Sequence, residues 1–175
     1  MAATIQIREF NGAVEDNGVD ITDVNSRYCL DNDTDSGLVY PLLKPGTGLT
    51  NYSYEKYWAL YCTTPGPSTQ ISNIKWYPAD ANPWTGIDLY VGSTDTYTQP
   101  TGVQGVSAAE SIIATTDAFT TYDDASPLTV PIKDGYTTGT NTRVSEFVVT
   151  QLRVSDASGP GVEDTTPSTW SLDEI

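Results

Sequence analysis

The sequence predicts an all-β protein, an antiparallel β-sandwich of about eight or nine strands with almost no helix, and three observations carry that prediction. Residues 55–93 hold three consecutive strand-like runs, Glu55–Thr63, Ile71–Tyr77 and Ile87–Gly92. Each is rich in aromatic or β-branched residues and closes on a break: Pro65-Gly66-Pro67, then Pro78 to Pro83 with Gly86, then Gly92-Ser93. Shorter runs with a two-residue period recur on both sides of this centre. Only Ala108–Ala114 reads as a helix, and a short one. Strands in number, turn signals between them and so little helix fit a sandwich of jelly-roll or immunoglobulin-like type.

In chain order, Ile5 and Ile7 alternate with Gln6 and Arg8 in a half-buried strand over residues 4–10, turned by Asn11-Gly12. Val19 and Ile21 share one face of a run that slips at Val24. Arg27–Leu30 reads as a short third strand. Residues 31–53 form a long connection, rich in Asp and Asn, then in Pro and Gly. A loop of that length has a job or docks on a neighbour. In 55–63, Trp58, Leu60 and Cys62 share one face and Tyr57, Ala59 and Tyr61 the other. Both faces are largely apolar, which places this strand mid-sheet with cover on both sides. Ile71, Asn73, Lys75 and Tyr77 stand opposite Ser72, Ile74 and Trp76.

Residues 94–126 are a Thr/Ser/Gly-rich connection. Pro131 confines Leu128–Ile132 to an edge or a bulge. Arg143–Val154 is the longest strand, with Phe147, Val149 and Gln151 on one parity and Val144, Leu152 and Val154 on the other. That split predicts a bulge near Thr150. After a linker at 156–168, Trp170 and Leu172 alternate with Ser171 and Asp173, so the C-terminal run pairs into a sheet.

The 175 residues suit one domain, which at this size buries roughly two-thirds of its unfolded surface. Charged residues make up 18% of the chain, yet the net charge is −15, because there are only eight Lys and Arg. Such a surface repels phosphate backbones and argues against nucleic acid as a partner. Abundant Asp and scarce Lys also fit a halophilic setting, where salt screens charge over a few Å; an ordinary acidic surface is the alternative. No apolar run approaches the ~20 residues that span a bilayer. The N-terminus lacks the basic flank and apolar core of a signal peptide, so synthesis and folding in a cytoplasm are expected. Cys29 and Cys62 read as small buried hydrophobes, with a disulfide as the alternative.

The chain contains no His, which removes the commonest general base and metal ligand, and with it Ser-His and Cys-His nucleophiles. Neither a P-loop nor G-x-G-x-x-G occurs. Asp31, Asp33 and Asp35 begin like a calcium loop. An EF-hand needs Gly at its sixth position and Glu at its twelfth, and here those are Ser36 and Leu42. A looser calcium site and a solvated acidic loop both remain open. Asp123-Asp124 and Glu163-Asp164 are adjacent acids whose side chains point different ways, a poor basis for a glycosidase pair. No enzyme and no cofactor are expected. The candidate contact residues are aromatic: Trp84, in a loop between Pro83 and Thr85, then Tyr52, Tyr54 and Trp170. Trp84 suits a sugar ring or a neighbouring subunit equally.

Several segments together carry a resemblance: Ile7–Gly12, Ile21–Asn25, Asn51–Trp58, Ile71–Trp76, Thr85–Gly92, Tyr97–Pro100, Gln151–Val154 and Leu172–Glu174. The set, spread over most of the chain, resembles small β-rich structural proteins of tailed bacteriophages and tailed archaeal viruses. The resemblance implies a virion part, most of all a head decoration or cement protein that binds the capsid. A tail, neck or baseplate component is the nearest variant, and a glycan-binding module for host attachment a further one. It implies other virion proteins as partners, a homo-oligomer set by local lattice symmetry, and no catalytic residue.

Overall fold

The computed structural model describes residues 2–174 apart from 17, 25, 33–39, 67–69, 134–138 and 160–165. Thirteen strands and a single four-residue helix lie among the described residues, so the chain is all-β. In order they are β1 (Thr4–Phe10), β2 (Val19–Asp20), β3 (Thr50–Tyr52), β4 (Lys56–Thr64), β5 (Ile71–Pro78), β6 (Ile87–Thr94), β7 (Gly102–Val103) and β8 (Ser107–Ala108). There follow β9 (Thr116–Asp117), α1 (Ala118–Thr121), β10 (Leu128–Thr129), β11 (Thr142–Arg143), β12 (Phe147–Ser155) and β13 (Ser168–Glu174).

The main sheet runs β2-β1-β4-β12-β6-β9, and all its pairings are antiparallel. β12 is its axis: β6 pairs with it from Phe147↔Thr94 to Val154↔Ile87, while β4 and then β3 share its other edge. β11 continues that edge against the far end of β4. A second sheet, β10-β5-β13, packs face to face on the first. Leu60 and Cys62 of β4, Leu89 and Val91 of β6, and Val148, Leu152 and Val154 of β12 point into the gap. Ile71, Ile74 and Trp76 of β5 meet them from the other side. Burying each such side chain is worth about 1.5–3 kcal/mol, so this layer holds the sandwich together.

The strand predicted mid-sheet, β4, is there and is covered on both faces. Pro131 also behaves as predicted: β10 is an edge strand, and the chain then leaves the second sheet for the first. Val130 N–H binds Ile74 O (2.9 Å), and three residues later Lys133 N–H binds Val144 O (2.9 Å). This is a sandwich corner, where one extended segment serves both sheets. The C-terminal run pairs along β5, as β13.

Five local expectations are corrected. Ala108–Ala114 is not helical; the helix is α1, four residues further on. Ser111 Oγ accepts the N–H groups of Ile113 (3.0 Å) and Ala114 (2.7 Å), which holds the segment in a turn. Arg27–Leu30 is not a strand, although Tyr54 N–H binds Cys29 O (3.0 Å). β12 has no bulge at Thr150: the opposed apolar parities exist because both faces are buried, and the irregularity falls earlier, between β11 and β12. A bulge does occur in β5, where Ser171↔Lys75 gives way to Asp173↔Ser72. The extra residue is Asn73 at φ 51°, and it lets Ile71 join Ile74 in the core despite their spacing of three. Finally, β2 stops after two residues because the Asp20 carboxylate accepts both Thr22 N–H (3.0 Å) and Thr22 Oγ1–H (2.7 Å).

At one end of the gap the apolar filling gives way to an ion pair. Lys56 Nζ lies 2.7 Å from Glu9 Oε1, and both side chains are fully buried. Asn11 Nδ2 donates to the same carboxylate (2.6 Å) and Ser26 Oγ to its other oxygen. Beside them, Tyr28 OH donates to Thr150 Oγ1 (2.7 Å), and burial pushes its phenol pKa far above the ordinary value. A buried pair costs much to desolvate and is expensive to break. Lys56→Ala, which strands the Glu9 carboxylate, should therefore lower unfolding free energy by about 3–5 kcal/mol in a urea titration. The double replacement Glu9→Leu with Lys56→Met should cost far less.

Candidate functional site

The second face of the main sheet carries Phe10, Tyr57, Ala59, Tyr61, Phe147 and Val149. The connection at 95–115, which carries the small two-stranded sheet β7-β8, covers it as an arm laid across the strands. Tyr97 meets Tyr57 edge-on at 4.9 Å, and Phe147 stands 5.0 Å from Phe10 and 5.6 Å from Tyr57 in T-shaped contacts. Tyr97 OH donates to Gly12 O (2.7 Å), and burial first of all pushes this phenol up to about 12. Such edge-on pairs add about 0.5–1.5 kcal/mol each beyond their burial.

Two buried polar side chains fasten the arm. Gln151, on β12, donates to Ser53 O and Ala109 O (2.8 Å each) and accepts from Ser111 N–H (2.8 Å). Arg143, on β11, donates to Asp95 O (2.8 Å), pairs with Glu15 and Asp95 at 3.3 Å, and lies 3.9 Å over the Phe147 ring. Gly92 of β6 sits under the arm, where an added Cβ would stand 2.1 Å from Ile113 O.

Where the arm leaves the sheet it forms a cleft of about 300 Å³ whose walls include Glu55, Tyr57, Pro100, Glu110, Ser111 and Ile112. A depression of about 70 Å³ beyond Glu110 and Ser111 is lined by Tyr52, Tyr90 and Gln151. Glu55 is half-buried, and burial, the largest influence, raises its carboxyl above the usual range; hydrogen bonds from Ser111 and Tyr57 offset part of that. Tyr57 is fully buried, and its hydroxyl lies within hydrogen-bonding reach of Glu55 and Thr98. Its pKa is raised by burial first and by Glu55 next. No Lys or Arg lines either hollow. Arg153, which donates to Tyr90 OH (2.9 Å), is the cation beside the smaller one.

The aromatic candidates are scattered. Trp84 is half-buried at the rim of the main core, in a T-shaped contact with Phe119 at 5.6 Å. Tyr54 is buried at 6% exposure, and Trp170 packs half-buried on the main core from β13. Tyr52, on β3, is half-buried; burial and then Glu110 raise its phenol. It alone touches the hollows described above. Asp31 accepts from Gln104 Nε2 (2.8 Å), while Asp33 and Asp35 lie outside the described residues. Among the described residues, no three His, Cys, Asp or Glu side chains come together as a metal site. Asp123 caps a turn at Ser126 N–H (2.7 Å) and Asp124 accepts from Tyr77 OH (3.1 Å); Glu163 and Asp164 lie outside the described residues. Cys29 and Cys62 are thiols at 0% exposure, and Cys29 Sγ donates to Asp31 O (3.3 Å). No described helix is long and apolar enough to cross a membrane.

Glu55, Glu110 and Gln151 went unsignalled in the sequence. Their roles depend on a non-local contact between 98–113 and the sheet, and the only hint was the unexplained length of 94–126. No protein-family model, curated protein or solved structure matches the chain.

Gly92→Ala should cost about 1–3 kcal/mol, because the Ile113 carbonyl must move to admit a methyl group, and the arm should become sensitive to protease before the sheet does. A pH experiment tests Glu55. A carboxyl whose pKa rises on folding holds its proton where the unfolded chain has lost it, so stability falls as pH climbs from its ordinary 4.5 through the raised value. Glu55→Gln should then melt higher than the parent at neutral pH, with the gap closing below the ordinary carboxylate pKa.

Proposed function

We propose that this chain is a structural component of a tailed-virus virion, a decoration or cement protein that binds the head surface and stabilises it through subunit contacts. One observation supports this reading above the others. Among the described residues, eight large aliphatic side chains stand exposed, and all lie in loops or two-residue strands: Val14, Val19, Val24, Leu43, Leu49, Val103, Val106 and Ile112. The long strands, by contrast, turn their apolar faces inward. A protein that docks on a lattice needs contact groups on its periphery and a rigid frame behind them, and the residues divide in that way.

Charge supports the same reading. Two of the eight basic residues, Lys56 and Arg143, are buried. The surface is thus acidic almost throughout, which keeps free subunits apart before assembly. The same contacts would serve a position at the neck or tail. The resemblance noted in the sequence is what names the particle.

Leu49 and Val106 are about 60% exposed, so replacing each by Asp should leave stability within about 0.5 kcal/mol of the parent. The double variant should nevertheless fail to co-sediment with capsids that retain the parent chain. A chain that stays monomeric and is absent from purified particles by mass spectrometry would sink the proposal.

A further inference from the structure

The buried polar group between β1 and β4 holds three side chains that can react with one another. Phe10↔Tyr57 is the last register pair of these strands, so one step further on Asn11 stands opposite Lys56. Glu9 lies two residues before Asn11 and shares its face. Its Oε1 accepts from Lys56 Nζ (2.7 Å) and from Asn11 Nδ2 (2.6 Å) at once, which holds an amine and a carboxamide against a single oxygen. Ser26 Oγ donates to the other carboxylate oxygen and fixes its orientation.

The surroundings favour chemistry between them. The side chains of Lys56 and Glu9 are fully buried, and Asn11 Oδ1 is buried without a hydrogen-bond partner. As a plain ion pair, the group leaves that oxygen unsatisfied, which is rare for a buried acceptor. Two buried charges are costly, and passing one proton along the 2.7 Å contact removes both. Lys56 is then a neutral amine and a nucleophile, and Glu9 is an acid with a proton to donate. A half-turn of the Asn11 amide brings Oδ1 to that proton and leaves Cγ open to Nζ. The fold supplies the proximity that a reaction between free groups lacks. Burial keeps out the water that would compete with Nζ.

We propose that this group closes an intramolecular isopeptide bond between Lys56 and Asn11, with Glu9 as the proton carrier. Glu9 takes a proton from the Lys56 ammonium, and Nζ attacks Asn11 Cγ to form the new N–C bond. Glu9 then delivers its proton to Nδ2 and takes a second one from Nζ. The Cγ–Nδ2 bond breaks, ammonia leaves, and an amide joins β1 to β4. No redox partner or cofactor enters the balance, and the reaction is independent of the function proposed above.

The mass of the full-length folded chain tests this. It should fall below the sequence mass by about 17 Da, one ammonia, and digestion should yield a branched peptide joining Asn11 to Lys56. Lys56→Arg, which keeps the positive charge, and Glu9→Gln should retain full mass while keeping the parent's β-rich circular dichroism. If either variant fails to fold, the parent's branched peptide decides the question by itself. Gly12 follows Asn11, and cyclisation onto its amide would lose the same mass but give no branched peptide. A parent chain of unaltered mass, ammonia loss without the branched peptide, or cross-linking of Glu9→Gln at the parent's rate would overturn the proposal.

Discussion

Everything in this molecule follows from a main sheet whose two middle strands are apolar on both faces. β4 and β12 bury nearly every side chain they carry: Leu60, Cys62, Val148 and Leu152 on one side, Tyr57, Ala59, Phe147 and Val149 on the other. A sheet of that kind cannot leave either face in water. One face is closed by β5, β10 and β13. The other is closed by the arm at 95–115, which has almost no regular structure and could not bury itself alone. The aromatic cluster of Phe10, Tyr57, Tyr97 and Phe147 is the result, a second core built by a loop.

Irregular backbone needs partners for its amide groups, and this explains the buried polar side chains. Gln151 supplies three hydrogen bonds to segments with no ladder of their own, and Arg143 supplies several more where β11 gives way to β12. Each fixes a loop against a strand at one register. The Glu9–Lys56 pair acts similarly at the open end of the sandwich, tying β1 to β4 through side chains as well as through the ladder. These groups add specificity, whereas the hydrophobic layers supply most of the free energy. The cleft is a by-product of the same arrangement, since it lies where the arm departs from the sheet.

The long strands were legible because two-residue periodicity is a local property. β1, β4, β5, β6, β12 and β13 were all readable, as was the double burial of β4. The two-residue strands β7, β8 and β9 were not, because two residues carry no period. Ala108–Ala114 looked helical on composition, but the bonds made by Ser111 and Gln151 decide its shape, and Gln151 is 40 residues away from Ser111. The Asn73 bulge was hidden too: the sequence put Ile71 and Ile74 on opposite faces, and only the pairing with β13 shows why both are inside. Trp84 looked exposed because prolines and glycine surround it, yet it is half-buried, in contact with Phe119, which is distant in sequence. Function was the least legible level, since contact surfaces and a cleft formed by long-range packing leave no spacing to read.

The most direct test of the two-sided main sheet is amide hydrogen exchange of the unmodified protein. If the arm is as much a part of the core as β12, the N–H groups of Ser111 and Ala114, bound to Gln151 Oε1 and Ser111 Oγ, should exchange on the slow timescale of the β12 amides. Exchange of those two at the rate of exposed loops, with β4 and β12 still protected, would contradict the account and leave the aromatic face open to solvent.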